Sequence, residues 1–299
     1  MKKFILSTAM VATSILCQFA NAGAKLDADA ANEIKYAKIF ETVNKKATYD
    51  LGPQCAYKNR KDITALNIEN SSDEDLAMSY DDFLKKVKEN GLLDKAFFDD
   101  AKRPDADMQN SIDSILSASD EIEKKGLVDN PKRCFLNKKE FFALFYYTGE
   151  GYRMLNQALR TNDIKKLEAL RVIGKHIYTA LDKITPYKGY VKRGQNMFKD
   201  AADIKKFETE YKVGAMVTMP AYTSTSVGKQ FDGDIQYVIK VKKNCTYIAD
   251  FSLVETKDLG GWSQMEEEEV LCQNNTKFKV LYHGKDAQNK HKLVLEEVE

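Results

Sequence analysis

The 299-residue chain balances 46 Lys and Arg against 45 Asp and Glu, for a formal net charge of +1, so it lacks the basic excess of a nucleic-acid-binding protein. A hydrophobic content of 43% with 10% aromatics excludes a largely disordered chain. The length suits one large domain or two moderate ones.

Lys2-Lys3, the apolar run Phe4 to Ala20 and the small-residue pattern Ala20-Asn21-Ala22 form a secretory signal over residues 1–22, cut after Ala22. Ser7, Thr8, Thr13, Ser14 and Gln18 interrupt the run, which argues against a membrane span. The charged end His291 to Glu299 carries no lipid-anchor signal. The expected product is a secreted protein without a stable membrane anchor. Lys2 and Lys3 leave with the signal, so the 46 basic residues become 44 against 45 acidic ones.

Cys17 leaves too, and Cys55, Cys134, Cys245 and Cys272 remain, an even number that in an exported chain points to two disulfides. Three connectivities exist; Cys245 with Cys272 is favoured because both adjoin predicted strands of one half, with free cysteines as the alternative. There is no CxxC or HExxH spacing, and His176, His283 and His291 are isolated, so no metal is expected. The absence of GxGxxG and Walker loops means that any nucleotide must be held by another scaffold.

Residues 23–130 read as a mostly helical region of unknown role. Ser79-Tyr80-Asp81-Asp82 starts a helix carrying Phe83, Leu84 and Val87 on one face, and Gly91 stops it. A second helix spans Ser111 to Lys125, ended by Gly126. From residue 131 onward a helical group opens on Asn137, with Glu140 closing a capping box. A loop at Tyr147-Thr148-Gly149 leads into a helix whose Tyr152, Leu155 and Leu159 form a core stripe. The next helix covers Asp163 to Lys183 and ends before Pro186.

Strands follow. Tyr190-Val191 leads to Arg193-Gly194, and a helix over Asp203 to Lys212 precedes Met216 to Met219 and Tyr222 to Ser226. Ile235 to Val241, Tyr247 to Leu253, Val270-Leu271, Phe278 to Tyr282 and Leu293 to Leu295 complete the β segments. A helical half followed by a β half predicts an α+β fold, with domain boundaries at 1–22, 23–130 and 131–299.

The chemistry concentrates on Gly260-Gly261-Trp262-Ser263-Gln264-Met265-Glu266-Glu267-Glu268-Glu269-Val270-Leu271. Four carboxylates beside an apolar strand are suited to positive charge. On an extended segment Glu267 and Glu269 share a face, and Glu266 and Glu268 take the other. Arg193 at a strand end and the hydroxyl run Ser224-Thr225-Ser226 complete three polar elements at strand positions.

In this order the three elements resemble the Arg/Ser-Thr-Ser/Glu-x-Glu class of mono-ADP-ribosyltransferases. The resemblance covers about Asn137 to Val298, including Tyr147-Thr148-Gly149, Tyr152, Asn156 and Leu159-Arg160 in the helical entry segment, Pro220-Ala221-Tyr222 before the hydroxyls, Ser252, and Phe278-Lys279-Val280. It implies an ADP-ribosyltransferase-like mixed β core with a helical subdomain, and a secreted, toxin-like enzyme that moves ADP-ribose from NAD+ to an arginine of a target protein. It further implies that Glu269 stabilises the ribosyl cation, that Glu267 orients and deprotonates the acceptor guanidinium, and that Arg193, with Gly194, binds cofactor phosphate through its planar fork. Ser224 would hold Glu269, with Thr225 and Ser226 bracing the cleft. Read from the residues themselves, Trp262 on its Gly260-Gly261 turn either offers a flat face to the target protein or serves as a buried loop anchor. The Glu267/Glu269 register rests on this match to Val270-Leu271, because parity alone does not choose it. Two other readings stay open: an NAD+ glycohydrolase, and a binding module with a catalytically silent transferase domain.

Overall fold

A computed structural model describes residues 31–32, 34–36, 38–40, 55, 74–94, 97, 105–228, 232–253 and 268–298. The signal segment 1–22, the Gly260-Gly261-Trp262 turn, Glu266 and Glu267 lie outside the described residues. The chain divides into two compact units, residues 1–45 and 46–299. In the first unit the described residues between 31 and 40 are helical.

In the second unit the helices are α1 (Glu74–Ala77), α2 (Tyr80–Glu89), α3 (Asp105–Lys124), α4 (Lys138–Tyr146), α5 (Tyr152–Thr161), α6 (Ile164–Lys183) and α7 (Ala201–Glu210). The strands are β1 (Gly189–Gln195), β2 (Met216–Met219), β3 (Thr223–Ser226), β4 (Ile235–Val241), β5 (Cys245–Tyr247), β6 (Glu269–Cys272), β7 (Thr276–Lys285) and β8 (His291–Glu297). The fold is α+β, as the order of helical and strand patterns predicts. Its helix ends are chemically marked. Ser79 Oγ accepts the Asp82 amide ahead of α2, Gly91 follows that helix at φ +70°, and Asn137 with Glu140 forms a reciprocal capping box on α4. The α3 helix starts earlier than Ser111, the position its sequence pattern suggests, and Gly126 stops it at φ +64°.

The strands form one sheet in the order β2-β7-β8-β4-β1-β3-β6-β5, in which only β4 and β8 run parallel. Its buried side chains join opposite ends of that order. Val217 of β2 and Phe278 and Val280 of β7 pack in one cluster with Val270 and Cys272 of β6, so the sheet curls over its own inner face. Leu271 turns the other way, into a second core with Tyr222, Ile248, Phe251 and the helices. Of the predicted strand over Tyr247 to Leu253, only Tyr247 belongs to β5. It ends at Tyr247 and gives way to a 3-10 turn at Ala249–Phe251, because Ile248, Phe251 and Leu253 all bury into the helical layer, which a period-2 strand cannot do.

Two disulfides close the unit, Cys55–Cys134 across 79 residues and Cys245–Cys272 across 27. The second is the pair expected, and it staples directly opposed residues of β5 and β6. By loop-closure entropy the two contribute about 4–5 and about 3–4 kcal/mol respectively.

The helices before residue 130 share a core with those after it. Phe83, Val87, Leu92, Ile115 and Ile122 are fully buried with Phe142, Tyr146, Ile173 and Ile177. The Phe83 ring meets Phe142 edge-on at 5.4 Å, and Tyr146 donates its hydroxyl to the Leu92 carbonyl at 3.1 Å. Asp75, on α1, pairs with Lys86 at 2.5 Å and with the buried Lys175 of α6 at 2.8 Å. The boundary expected after residue 130 therefore falls inside one packed core. A fragment of residues 131–299 loses partners each worth about 1.5–3 kcal/mol of apolar burial, so it is expected to lack a cooperative melt, whereas residues 46–299 should melt in a single transition. Calorimetry of the two fragments decides this, and a sharp transition in the shorter one would restore the boundary.

Candidate active site

The site forms where the sheet parts. Strand β1 is paired with β4 over its whole length, from Gly189↔Val241 to Gln195↔Ile235. On its other side it meets β3 at a single register pair, Lys192↔Ser226. One residue beyond that pair, the half-buried Arg193 donates Nη1 to the Ser224 carbonyl at 2.5 Å and Nε to Gln195 Oε1 at 3.4 Å. The guanidinium thus bridges strands whose ladder has ended. Burial holds its pKa below the usual arginine value, and it stays charged. Gly194 follows it, opposite Gln236.

The hydroxyl strand β3 is held on β6 by four register pairs, from Thr223↔Cys272 to Ser226↔Glu269. Thr225 adds a side-chain bond, its buried Oγ1 donating to the Val270 carbonyl at 2.6 Å, which fixes the two strands together. Opposed residues on antiparallel strands project to the same face, so Ser226 stands beside Glu269. Ser224 is opposite Leu271, and its hydroxyl lies 3.5 Å from the Tyr147 hydroxyl. The proposed support of Glu269 by hydroxyls thus has Ser226 as its cross-strand neighbour, with Ser224 one step along.

Glu269 is only 7% exposed, and its carbonyl accepts the Ile248 amide at 2.9 Å. Glu268, immediately before it, has φ 48° and accepts the Val227 amide at 3.1 Å. A left-handed residue breaks strand alternation. The expectation that Glu267 and Glu269 share a face because the segment is extended therefore does not apply across Glu268, and the strand begins only at Glu269. Glu267 and Trp262 lie outside the described residues.

The helical side supplies residues that periodicity assigns to packing. Between α4 and α5 the chain makes a π-helical turn, Tyr147–Gly151, a form frequent at functional sites. Gly151 is required there, since a Cβ would lie 2.2 Å from the Tyr146 ring. The turn buries Tyr147 against Tyr222, ring centroids 5.5 Å apart, and its hydroxyl accepts from Asn156 Nδ2 at 3.1 Å. Burial first, and the nearby Glu269 charge second, push the Tyr147 phenol up to about 12, so it remains a neutral donor at physiological pH. Asn156 lies on the buried face of α5 with Met154, Leu155 and Ala158, a polar residue on an otherwise apolar face. Among the described residues no cluster of His, Cys, Asp and Glu is placed to hold a metal ion, and no helix is long and apolar enough to cross a membrane.

The sequence profile of the ADP-ribosyltransferase exoenzyme family matches residues 122–299. Mav of Mycobacterium avium (strain 104), whose name is that of an NAD(+)–arginine ADP-ribosyltransferase, is 28% identical over 162 residues, covering 53% of this chain and 18% of Mav. The NAD(+)–protein-arginine ADP-ribosyltransferase Tre1 of Serratia proteamaculans (strain 568) is 34% identical over 138 residues, covering 46% of this chain and 27% of Tre1. The chain thus spans less than a third of either relative. Among solved structures, the type III effector XopAI of Xanthomonas axonopodis pv. citri, lacking 70 N-terminal residues, superposes with a TM-score of 0.51 at 14% identity, covering 76% of this chain and 92% of that one; this likeness concerns the fold alone. With more than half of the chain matched by the family profile, and with the arginine, hydroxyl strand and glutamate gathered at one parting of the sheet, the chain belongs to the ADP-ribosyltransferase exoenzyme family.

Proposed function

We propose that this chain is an exported, toxin-like enzyme that transfers ADP-ribose from NAD+ to an arginine of a target protein and releases nicotinamide. The observation that carries the reading is the juxtaposition of the buried Glu269 with Ser226, Tyr147 and the Ser224-bound Arg193. NAD+ is the substrate, and no metal takes part. The Lys2-Lys3, apolar-run and Ala20-Asn21-Ala22 pattern, read as an export signal, supports the exported part of the proposal.

In this reading the bond between C1′ of the ribose and the nicotinamide nitrogen breaks, and nicotinamide leaves with the bonding pair. The ribosyl cation left behind is stabilised by the Glu269 carboxylate, held in a largely dry site where a preorganised charge counts for most. The neutral Tyr147 phenol and the β3 hydroxyls supply donors that keep the carboxylate oriented. Arg193, with Gly194 leaving room beside it, takes a phosphate of NAD+; its fork is already aimed by the Ser224 carbonyl and Gln195. A guanidino nitrogen of the acceptor then attacks C1′ and gives up a proton to Glu267. Trp262 contacts the target protein.

Nicotinamide release, measured with and without agmatine as a small guanidino acceptor, tests the scheme. Glu269→Gln is expected to reduce release by about 10²-fold or more in both conditions, because hydrolysis and transfer share the cation. Glu267→Gln should abolish the increment due to agmatine and spare most of the hydrolysis. Loss of both activities in Glu267→Gln with Glu269→Gln active would move the essential carboxylate. An unmutated protein that releases nicotinamide but never modifies a guanidine would be a glycohydrolase, and one that releases none would be a silent binding module.

The role of Arg193 is tested by binding. Arg193→Lys keeps the charge and loses the bidentate fork, so NAD+ affinity, read by titration calorimetry, is expected to fall on the order of tenfold, the worth of one charge-assisted hydrogen bond. Unchanged affinity would remove Arg193 from the NAD+ site.

A further inference from the structure

The strand that carries Glu269 is held on two sides. β6 is four residues long, with Glu269 at its head and Cys272 at its tail. On one side it pairs with β3, and on the other with β5 through Cys245↔Cys272, Thr246↔Leu271 and Tyr247↔Val270. Ile248, the residue after β5, donates its amide to the Glu269 carbonyl at 2.9 Å, so the β5 side reaches the backbone of Glu269 itself. Yet β5 is a three-residue strand at the end of the sheet order. On its outer side stand the isolated bridge Pro186↔Thr246 and the Tyr187 amide, which donates to the Cys245 carbonyl at 2.8 Å. So short an edge opens readily by local unfolding. The Cys245–Cys272 disulfide opposes that opening by closing the β5–β6 pair farthest from Glu269 with a covalent bond, and both cysteines are fully buried.

We propose that the Cys245–Cys272 disulfide is a positioning element of the active site: it keeps β5 in register on β6 so that Ile248 holds the Glu269 backbone, and the chain with both thiols reduced folds around a poorly aimed carboxylate. This inference rests on the proposed transferase reading, since Glu269 is the group being aimed. It makes activity depend on an oxidation. Forming the bond removes two electrons and two protons from the Cys245 and Cys272 thiols by exchange with a partner disulfide, which leaves as two thiols. In the exported chain proposed above that exchange follows departure from the reducing cytosol, so the enzyme is poorly active where it is made. The reverse exchange needs a thiolate to reach one of the sulfurs. Cys55 of the other disulfide is half-buried, whereas Cys245 and Cys272 are 0% exposed. Reductant therefore opens Cys55–Cys134 first in the native protein, and Cys245–Cys272 persists until β5 itself opens.

The test compares the full chain with two double variants, Cys245→Ala with Cys272→Ala and Cys55→Ala with Cys134→Ala. Steady-state nicotinamide release gives kcat and KM for NAD+, and denaturant unfolding gives stability. Loss of Cys245–Cys272 is expected to lower kcat about tenfold or more, with KM within about twofold. Loss of Cys55–Cys134, which closes the longer loop and removes at least as much stability, should leave kcat within about twofold. That contrast separates positioning from a merely structural role. Similar kcat losses in both variants, or an unchanged kcat without Cys245–Cys272, overturn the proposal. Reduction of the unmutated protein reads the same device without a substitution. With a dithiol under native conditions, and thiols counted by alkylation and mass spectrometry, Cys55 and Cys134 should be labelled first with activity kept. Activity should fall only as Cys245 and Cys272 are labelled, and return when an unlabelled sample is reoxidised. Activity that tracks Cys55 and Cys134, or that survives labelling of Cys245 and Cys272, overturns the proposal. If the oxidised, unmutated protein releases no nicotinamide, the transferase reading fails, and hydrogen exchange still judges the clamp. The Ile248 amide should lose protection on loss of Cys245–Cys272 and keep it on loss of Cys55–Cys134; equal protection in all three proteins dismisses it.

Discussion

Much of this structure follows from one constraint on β1. The strand is fully paired with β4 but touches β3 at only one register pair, so the sheet must open beside it. An opened sheet leaves backbone groups without ladder partners, and a buried group in that condition costs about 1–3 kcal/mol. Arg193 offsets this by donating to the Ser224 carbonyl where the ladder ends. The residue that bridges the structural defect is thus also one whose planar guanidinium suits a phosphate.

The second wall of the cleft depends on the helical layer. Tyr147 reaches the strands because the π-helical turn displaces it from regular helix geometry, and the turn is held from several sides. Thr148 Oγ1 donates to the Leu144 carbonyl at 2.8 Å and accepts the Leu253 amide at 3.0 Å. Tyr222 packs on the Tyr147 ring. These contacts draw on a core that extends back to Phe83 and Ile122, so helices remote from the candidate site help to fix a phenol within it.

Local signals were strong in the sequence where a short-range rule decides structure. Asn137 and Glu140 announced their capping box, the helix read from Asp163 to Lys183 matches α6 with Asp163 at its cap, and the segment Ile235–Val241 matches β4 in full. Of the candidate site, Arg193, Ser224-Thr225-Ser226 and the glutamate before Val270 stand out in the sequence as local patterns, and the fold brings them to one parting of the sheet. Long-range packing is not legible in this way. Nothing in the pattern around Phe83 shows that its partner is Phe142, and so the helices before residue 130 seemed a separate region. The Tyr152, Leu155 and Leu159 stripe reads as core, whereas the buried Asn156 beside it donates to the Tyr147 hydroxyl, a contact made only in three dimensions.

The acidic run shows why residue pattern alone underdetermines a catalytic register. Alternation assigns faces only if every residue is extended, and Glu268 is not. A run of like charges gains nothing from being a strand, since alternate carboxylates would then lie close on each face. The chain instead turns at Glu268, and the strand starts where its first residue can be buried beside Ser226. What sets the position of Glu269 is therefore the strand pairing of Val270 and Leu271 with Thr225 and Ser224. These pairs fix β6 on β3 through the whole of the hydroxyl strand, and the carboxylate at the head of β6 is carried into the cleft by them.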